Sequence, residues 1–218
     1  MNTRADLIQA DVFEYNFGMK LYFIRHGESE ANIQHVISNY GSHFGLTEHG
    51  RQQVQVLSER LKNMPITTMY SSPVIRAMDT ADILYQSLDL PYRVTEALRE
   101  YNCGILEGKS DEASWRLHRH YYEDWTLRRD YLSKPEGGES FVDIQNRFLP
   151  FIESFKRDDE EEVLLVGHGG LFHLMLPLIL SNIDDDFVRD HHISNADCIV
   201  AELISDQWVC RQWGDVNL

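Results

Sequence analysis

Two apolar runs in this chain do not alternate with polar residues. Leu21-Tyr22-Phe23-Ile24 empties into Arg25-His26-Gly27, and Val163-Leu164-Leu165-Val166 empties into Gly167-His168-Gly169-Gly170. Continuous apolar runs of this length suit strands covered by helices on both faces, as in a parallel sheet. Each run therefore delivers a histidine to a strand's carboxyl end, the edge where open α/β sheets bind ligands.

The intervening pattern alternates helices and strands. Thr47 is placed to cap a helix in which Val54, Leu57, Leu61 and Met64 recur until Pro65. Thr67 to Tyr70 reads as a strand, Ser71-Ser72-Pro73 as a turn, and Val74, Ala77, Met78, Ala81 and Leu84 as one side of a second helix. Tyr92-Arg93-Val94 is a short strand, and Gly104 and Gly108 mark a loop carrying Glu100 and Glu107. A helix without a clean apolar face runs from about Asp111 to Tyr131. Ser140 caps another bearing Phe141, Ile144, Phe148, Phe151, Ile152 and Phe155. The segment after Asn32, with Ser38, Asn39, Gly41, Ser42 and Gly45, reads as a loop, as does the acidic run from Asp158 to Glu162. Two strands near Cys198 to Leu203 and Trp208 to Trp213 close the chain.

Composition narrows the class. At 218 residues and 43% hydrophobic, the chain can bury one sizeable core. Residues 1–18 lack any period and read as an N-terminal extension to a single domain over 19–218, and Met19 is an alternative start. With 35 acidic against 20 basic residues, the formal charge of -15 argues against nucleic acid and anionic membranes as partners. Cys103, Cys198 and Cys210 show no Cys-x-x-Cys spacing and read as inert thiols in a reducing compartment. The longest apolar run, Leu171 to Leu180, is interrupted by His173 and Pro177 and is half the ~20 residues of a membrane span. No signal-peptide pattern opens the chain, so the expectation is a soluble, cytoplasmic protein. The adjacent pair His191-His192 lacks metal-ligand spacing and reads as surface histidines.

The candidate chemistry lies in His26, His168, Arg25, Arg76 and Glu100. Arg76 falls in the first turn of its helix, where a cation is unfavourable unless an anion shares the site. Two imidazoles, two guanidiniums and a carboxyl group at strand and helix ends suit phosphoryl transfer, in which positioned cations stabilise charge on the equatorial oxygens. A neutral imidazole can act as nucleophile, and a carboxyl group with raised pKa can protonate the leaving alkoxide. His168, if protonated, would stabilise charge without attacking. This scheme requires no metal or other cofactor, and the chain lacks a Gly-x-x-x-x-Gly-Lys-Ser/Thr phosphate cradle.

Arg25-His26-Gly27-Glu28-Ser29 with Asn32, then Ser71-Ser72-Pro73 with Arg76 and Thr80-Ala81, then Leu98-Arg99-Glu100, then Gly167-His168-Gly169-Gly170 together resemble the histidine phosphatase superfamily. The resemblance runs in order from Met19 to about Leu203. It implies an α/β/α sandwich around a mainly parallel sheet, His26 as phosphorylated nucleophile and Glu100 as proton donor. It also implies that Arg25, Arg76 and His168 bind the phosphoryl group, helped by Asn32 and the Gly169 amide.

Within that family, phosphoglycerate mutases usually show Phe-Thr-Gly-Trp after the first motif and Glu-Arg-x-Tyr-Gly at the acid. Here no such run precedes Leu46-Thr47, and the acid segment reads Glu100-Tyr101-Asn102-Cys103-Gly104. Glu107-Gly108 looks more like the phosphatase branch. The expectation is a metal-independent phosphomonoester hydrolase acting on a small phosphorylated metabolite, with a cofactor-dependent phosphoglycerate mutase as alternative. A catalytically silent binding or scaffolding member is disfavoured because His26, Arg76, Glu100 and His168 are all present. A homodimer is compatible with the sequence. The arginines between Trp115 and Arg129 read as a charged helix face, with closure of Arg116 and Arg128 over the site as the functional alternative.

Overall fold

Tyr22 and Phe23, neighbours in one apolar run, face opposite layers of the molecule. A computed structural model describes residues 18–40, 43–157 and 162–218. Its strands are β1 (Lys20–Arg25), β2 (Thr68–Ser71), β3 (Tyr92–Val94), β4 (Glu162–Gly167), β5 (Cys198–Ile204), β6 (Gln207–Trp213) and β7 (Val216–Asn217). They form one sheet in the order β3-β2-β4-β1-β5-β6-β7. The pairs β3-β2, β2-β4 and β4-β1 are parallel, and the C-terminal strands add antiparallel pairs at the other side.

The helices are α1 (Glu30–Gln34), α2 (Glu48–Leu61), α3 (Ile75–Leu88), α4 (Glu112–Glu123), α5 (Phe141–Ser154), α6 (Gly169–Met175) and α7 (Asp185–Asp190). Because successive strand side chains point to opposite faces, Tyr22, Ile24, Leu164 and Val166 join Val54, Leu57, Ala77 and Leu84 of α2 and α3 in one core. Leu21, Phe23, Val163 and Leu165 join Ile144, Phe148, Leu171 and Phe172 of α5 and α6 in the other. This is the three-layer α/β/α arrangement, and burial on both faces explains why neither run alternates. The β1-β4 register sets Ile24 beside Val166 and Arg25 beside Gly167, so the two strand-end histidines emerge together.

Local sequence accounts for the helix starts. Thr47 Oγ1 accepts from Gly50 N, Asp111 from Ser114 N, and Ser140 from Asp143 N, each meeting an otherwise unpaired first-turn amide. Three expectations change. Residues just after Ser29 form the short helix α1, held by a Ser29-Asn32 capping box, where a loop was expected to follow Asn32. Helix α4 passes into a π turn over Asp124–Arg128. Glu162 is not in a solvated loop: it opens β4, buried, and accepts 2.5 Å from Tyr22 Oη. The rest of that acidic run up to Glu161, the Gly41-Ser42 part of the first loop, and residues 1–17 lie outside the described residues. Among the described residues no helix is long and apolar enough to cross a membrane.

Candidate active site

The carboxyl ends of β1, β2 and β4 and the loop after β3 converge on one crevice. β1 brings Arg25 and His26, the Ser71-Ser72-Pro73 turn brings Arg76 at the start of α3, and β4 brings His168 just ahead of α6. Glu100 arrives after a 3₁₀ turn over Glu96–Leu98. His26, Arg76, Glu100 and His168 are all buried, at 3%, 4%, 6% and 0% exposure. Four polar side chains buried at one point are costly unless they satisfy one another or a ligand.

Arg76 is the hub. Its Nε donates to His26 Nε2 at 2.9 Å, its Nη1 to the Ser38 carbonyl at 2.6 Å, and its Nη2 to His168 Nδ1 at 3.1 Å. A guanidinium only donates, so both facing imidazole nitrogens are acceptors. His26 accordingly carries its proton on Nδ1, donated to the Gly27 carbonyl at 2.7 Å. His168 carries its proton on Nε2, donated to Ser72 Oγ at 2.8 Å. Burial first, and then the Arg76 charge, hold both imidazoles well below the ordinary histidine range. Both rings are neutral in this arrangement; the protonated form of His168 is an expectation for the phosphate-bound site. The rings stand 5.2 Å apart between centroids, with the guanidinium bridging them.

Glu100 Oε1 accepts from Tyr101 N at 3.1 Å and Oε2 from Gly170 N at 2.9 Å. Burial raises its pKa against the opposing pull of Arg76 and these two amides. Arg25 Nη1 donates to the Ile193 carbonyl at 2.5 Å, while its buried Nε has no hydrogen-bond partner among the described residues. A Cβ at Gly169 would stand 3.1 Å from that Nε, so the glycine leaves room beside an unsatisfied donor. Asn32 Oδ1 accepts from Ser29 N and Ser29 Oγ, both at 3.0 Å, and is engaged in capping α1. All seven expected positions thus come to one region.

Several supporting residues were not singled out from sequence. Ser72 orients His168, and the Ser38 carbonyl anchors Arg76. Thr80 Oγ1 accepts from Gly27 N at 3.2 Å and donates to the Arg76 carbonyl at 2.8 Å, tying the first motif to α3. Asn195 Nδ2 donates to the His26 carbonyl at 3.1 Å. Glu107, noted only as a branch marker, accepts from Asn39 N, Tyr40 N and Cys103 N at 2.9, 3.1 and 2.9 Å, and so holds the loop that carries Ser38. Ser72 and Thr80 lay within quoted motifs, but Asn195 had no local signal.

Arg116 and Arg128 keep to the expected charged helix face, and Arg119 departs from it. Among the described residues Arg116 reaches only Glu112, and Arg128 pairs with Glu123 and Asp124 within the same helical segment, whereas Arg119 lines the cavity beside Gly169 and Gly170. His191 stacks on Phe187, and no cluster suited to a metal ion occurs among the described residues.

Fold, order of motifs and site geometry define a class of proteins that handle phosphoryl groups with two strand-end histidines. The sequence model of the histidine phosphatase superfamily (branch 1) matches residues 21–216, and the chain belongs to that family. Human 6-phosphofructo-2-kinase/fructose-2,6-bisphosphatase 1 is 30% identical over 170 residues, covering 76% of this chain and 34% of the relative. The chain thus spans about a third of that protein's length. Among solved structures, Bacillus stearothermophilus YhfR is 27% identical with a TM-score of 0.79, covering 91% of this chain and 98% of the other. Native mycobacterial glucosyl-3-phosphoglycerate phosphatase is 25% identical with a TM-score of 0.76, covering 91% and 100%.

Proposed function

We propose that this protein is a metal-independent phosphomonoester hydrolase that works through a phosphohistidine on His26, acting on a small phosphorylated metabolite. The observation that carries the reading is the lone pair of His26 Nε2, kept unprotonated and held 2.9 Å from Arg76 Nε at the centre of a cationic crevice. A phosphate dianion is a stronger acceptor for the guanidinium than a neutral imidazole. Its binding draws the Arg76 donors onto phosphate oxygens and releases Nε2 for in-line attack. Arg25, with its unsatisfied Nε, and the first-turn amide of Gly169 add donors to the same anion, and Asn32 contributes its side-chain amide.

In the first step the Nε2-P bond forms, the P-O bond to the leaving alkoxide breaks, and protonated Glu100 gives that oxygen its proton. In the second step the Glu100 carboxylate takes a proton from water as the water oxygen attacks phosphorus. The P-N bond breaks, its electrons return to Nε2, and inorganic phosphate leaves. His168, once protonated on Nδ1 beside the bound dianion, donates to the phosphoryl oxygens without attacking. Hydrolysis rather than return of the phosphoryl group to a bound product is favoured by the absence of the arginine and tyrosine expected after the acid in a mutase. The three buried, unpaired cysteines fit a reducing cytoplasm.

A phosphorus NMR time course without added metal tests the reading. 3-Phosphoglycerate with a trace of 2,3-bisphosphoglycerate is followed beside a mixture of sugar and nucleoside monophosphates. Inorganic phosphate is the expected product. Formation of 2-phosphoglycerate with little free phosphate would make the protein a mutase instead.

A further inference from the structure

Two cavities meet beside the phosphate site. The nearer, about 640 Å³, has Arg25, Gly169 and Gly170 on one side and Tyr101, Trp115 and His118 on the other. The farther, about 470 Å³, lies between α4 with its π turn and the α6 to α7 segment, against Trp125, Phe141, Leu174, Leu178, Ile183 and Val188. Arg119, Tyr122, His173 and His192 line both, so the two cavities adjoin at these side chains. Each volume lies within the range of small-molecule sites, ~300–1,000 Å³.

Beyond Arg119, which stands where the two cavities share their lining and has no ion pair among the described residues, the charges around the farther cavity are engaged. Arg129 pairs with Asp185 at 2.8 Å, Glu123 with Arg128 at 3.1 Å, and Arg189 with Asp186 at 2.5 Å. Asp184 caps α7 by accepting from Phe187 N at 2.8 Å, and Trp125 Nε1 is turned to the Ser133 carbonyl at 2.7 Å. Past Arg119, a second phosphate or a carboxylate would meet only cations already paired among the described residues, and the Trp125, Phe141, Leu174, Leu178, Ile183 and Val188 side of the cavity offers sugar hydroxyls no partner. Leu178 nonetheless stands 44% exposed on this wall. Apolar surface left open next to a reaction site is best covered by an apolar part of the ligand.

We infer that the alcohol portion of the substrate carries an extended apolar group, aliphatic or aromatic, that occupies the farther cavity while its phosphate sits at His26. The inference rests on the phosphatase reading and sharpens its substrate class. It sets this chain's preferred ester apart from small polar sugar phosphates and bisphosphates.

Calorimetric titration with ethylphosphonate and hexylphosphonate separates the two ideas, because neither ligand turns over. Each fully buried methylene is worth about fourfold in Kd. Hexylphosphonate should therefore bind the wild-type protein at least about tenfold more tightly than ethylphosphonate, allowing for partial burial of its four extra methylenes. Leu178→Asp, at an exposed position that tolerates a charge, should bring the ratio toward one. Equal affinities in the wild type, or a ratio unchanged by the substitution, would overturn the inference. Phosphate release from ethyl and hexyl phosphates, measured alongside, reports on the hydrolase reading alone: intact esters with a preserved affinity ratio would remove that reading and leave the apolar subsite standing.

Discussion

Arg76 and His26 are joined by an N-H to nitrogen hydrogen bond of 2.9 Å that fixes the imidazole tautomer and occupies the very lone pair a nucleophile would use. The resting site is therefore held closed by its own cation, and in the proposed mechanism the arriving anion opens it. Arg76→Lys keeps one charge but cannot span His26, Ser38 and His168 together. Turnover of any phosphomonoester should fall by about 10²–10³-fold, the range seen when a positioned donor is lost. His26→Ala should abolish turnover and acid-labile incorporation of phosphate while leaving circular dichroism unchanged. Retained turnover in the alanine variant would exclude His26 as nucleophile.

Glu100 and Gly170 offer a test of the proton donor. Burial raises the Glu100 pKa, so the acid form persists above the ordinary carboxylate range and activity on alkyl esters should decline as pH rises through that shifted value. His26, held well below its ordinary pKa, stays unprotonated on the acid side. Glu100→Gln should abolish the alkaline decline and slow alkyl esters far more than activated aryl esters. In Gly170→Ala the new Cβ would stand 2.8 Å from Glu100 Oε2, displacing the carboxylate and producing the same leaving-group dependence. A uniform loss across both ester types in either variant would speak against the assignment.

Glu107 acts at a distance through Asn39 and Tyr40. Its carboxylate receives three backbone amides, and the loop it secures supplies the Ser38 carbonyl that anchors Arg76 at 2.6 Å. Glu107→Ala leaves those amides without their acceptor and should cost about 1–3 kcal/mol of stability. It should also weaken inhibition by inorganic phosphate, because Arg76 loses its anchor, and Glu107→Gln should restore part of both. A destabilised variant with unaltered phosphate affinity would confine Glu107 to folding.

His118 ties stability to pH. Burial, with a smaller contribution from Arg119, lowers its pKa to about 4, and its Nε2 lies 3.0 Å from Tyr101 Oη. The folded state thus resists a proton that the unfolded chain accepts below pH ~6.5. Its contribution is complete above pH ~6.5 and is lost as pH falls toward about 4, removing roughly 1–3 kcal/mol. Urea melts from pH 7 to 4 should show a shallower loss for His118→Gln than for the wild type. Parallel slopes would assign the acid sensitivity to the other lowered histidines, His26, His168 and His173.

Much of this was legible in one dimension because the signals are local. Non-alternating runs report burial on both faces, Thr47 and Ser140 report helix starts through their own side chains, and a histidine that follows such a run must lie at a strand end. The short helix α1 was missed because its capping partner Asn32 had been read toward a ligand, and Glu162 because an acidic run resembles a solvated loop until Tyr22 is brought beside it. The arginines of α4 could not be sorted from sequence. Which of Arg116, Arg119 and Arg128 faces the crevice depends on how that helix is rotated against α6.

The sequence by itself determined the layers of the sheet, the order of the motifs and the residue types at each strand end, since these follow from periodicity and short-range sterics. Only the tertiary structure decided that Arg76 bridges His26 and His168, that both imidazoles are neutral, and that Asn195 and the Glu107-held loop support them. Those outcomes depend on distances of a few ångströms between residues far apart in the chain and on the desolvation that packing imposes, neither of which a local pattern encodes.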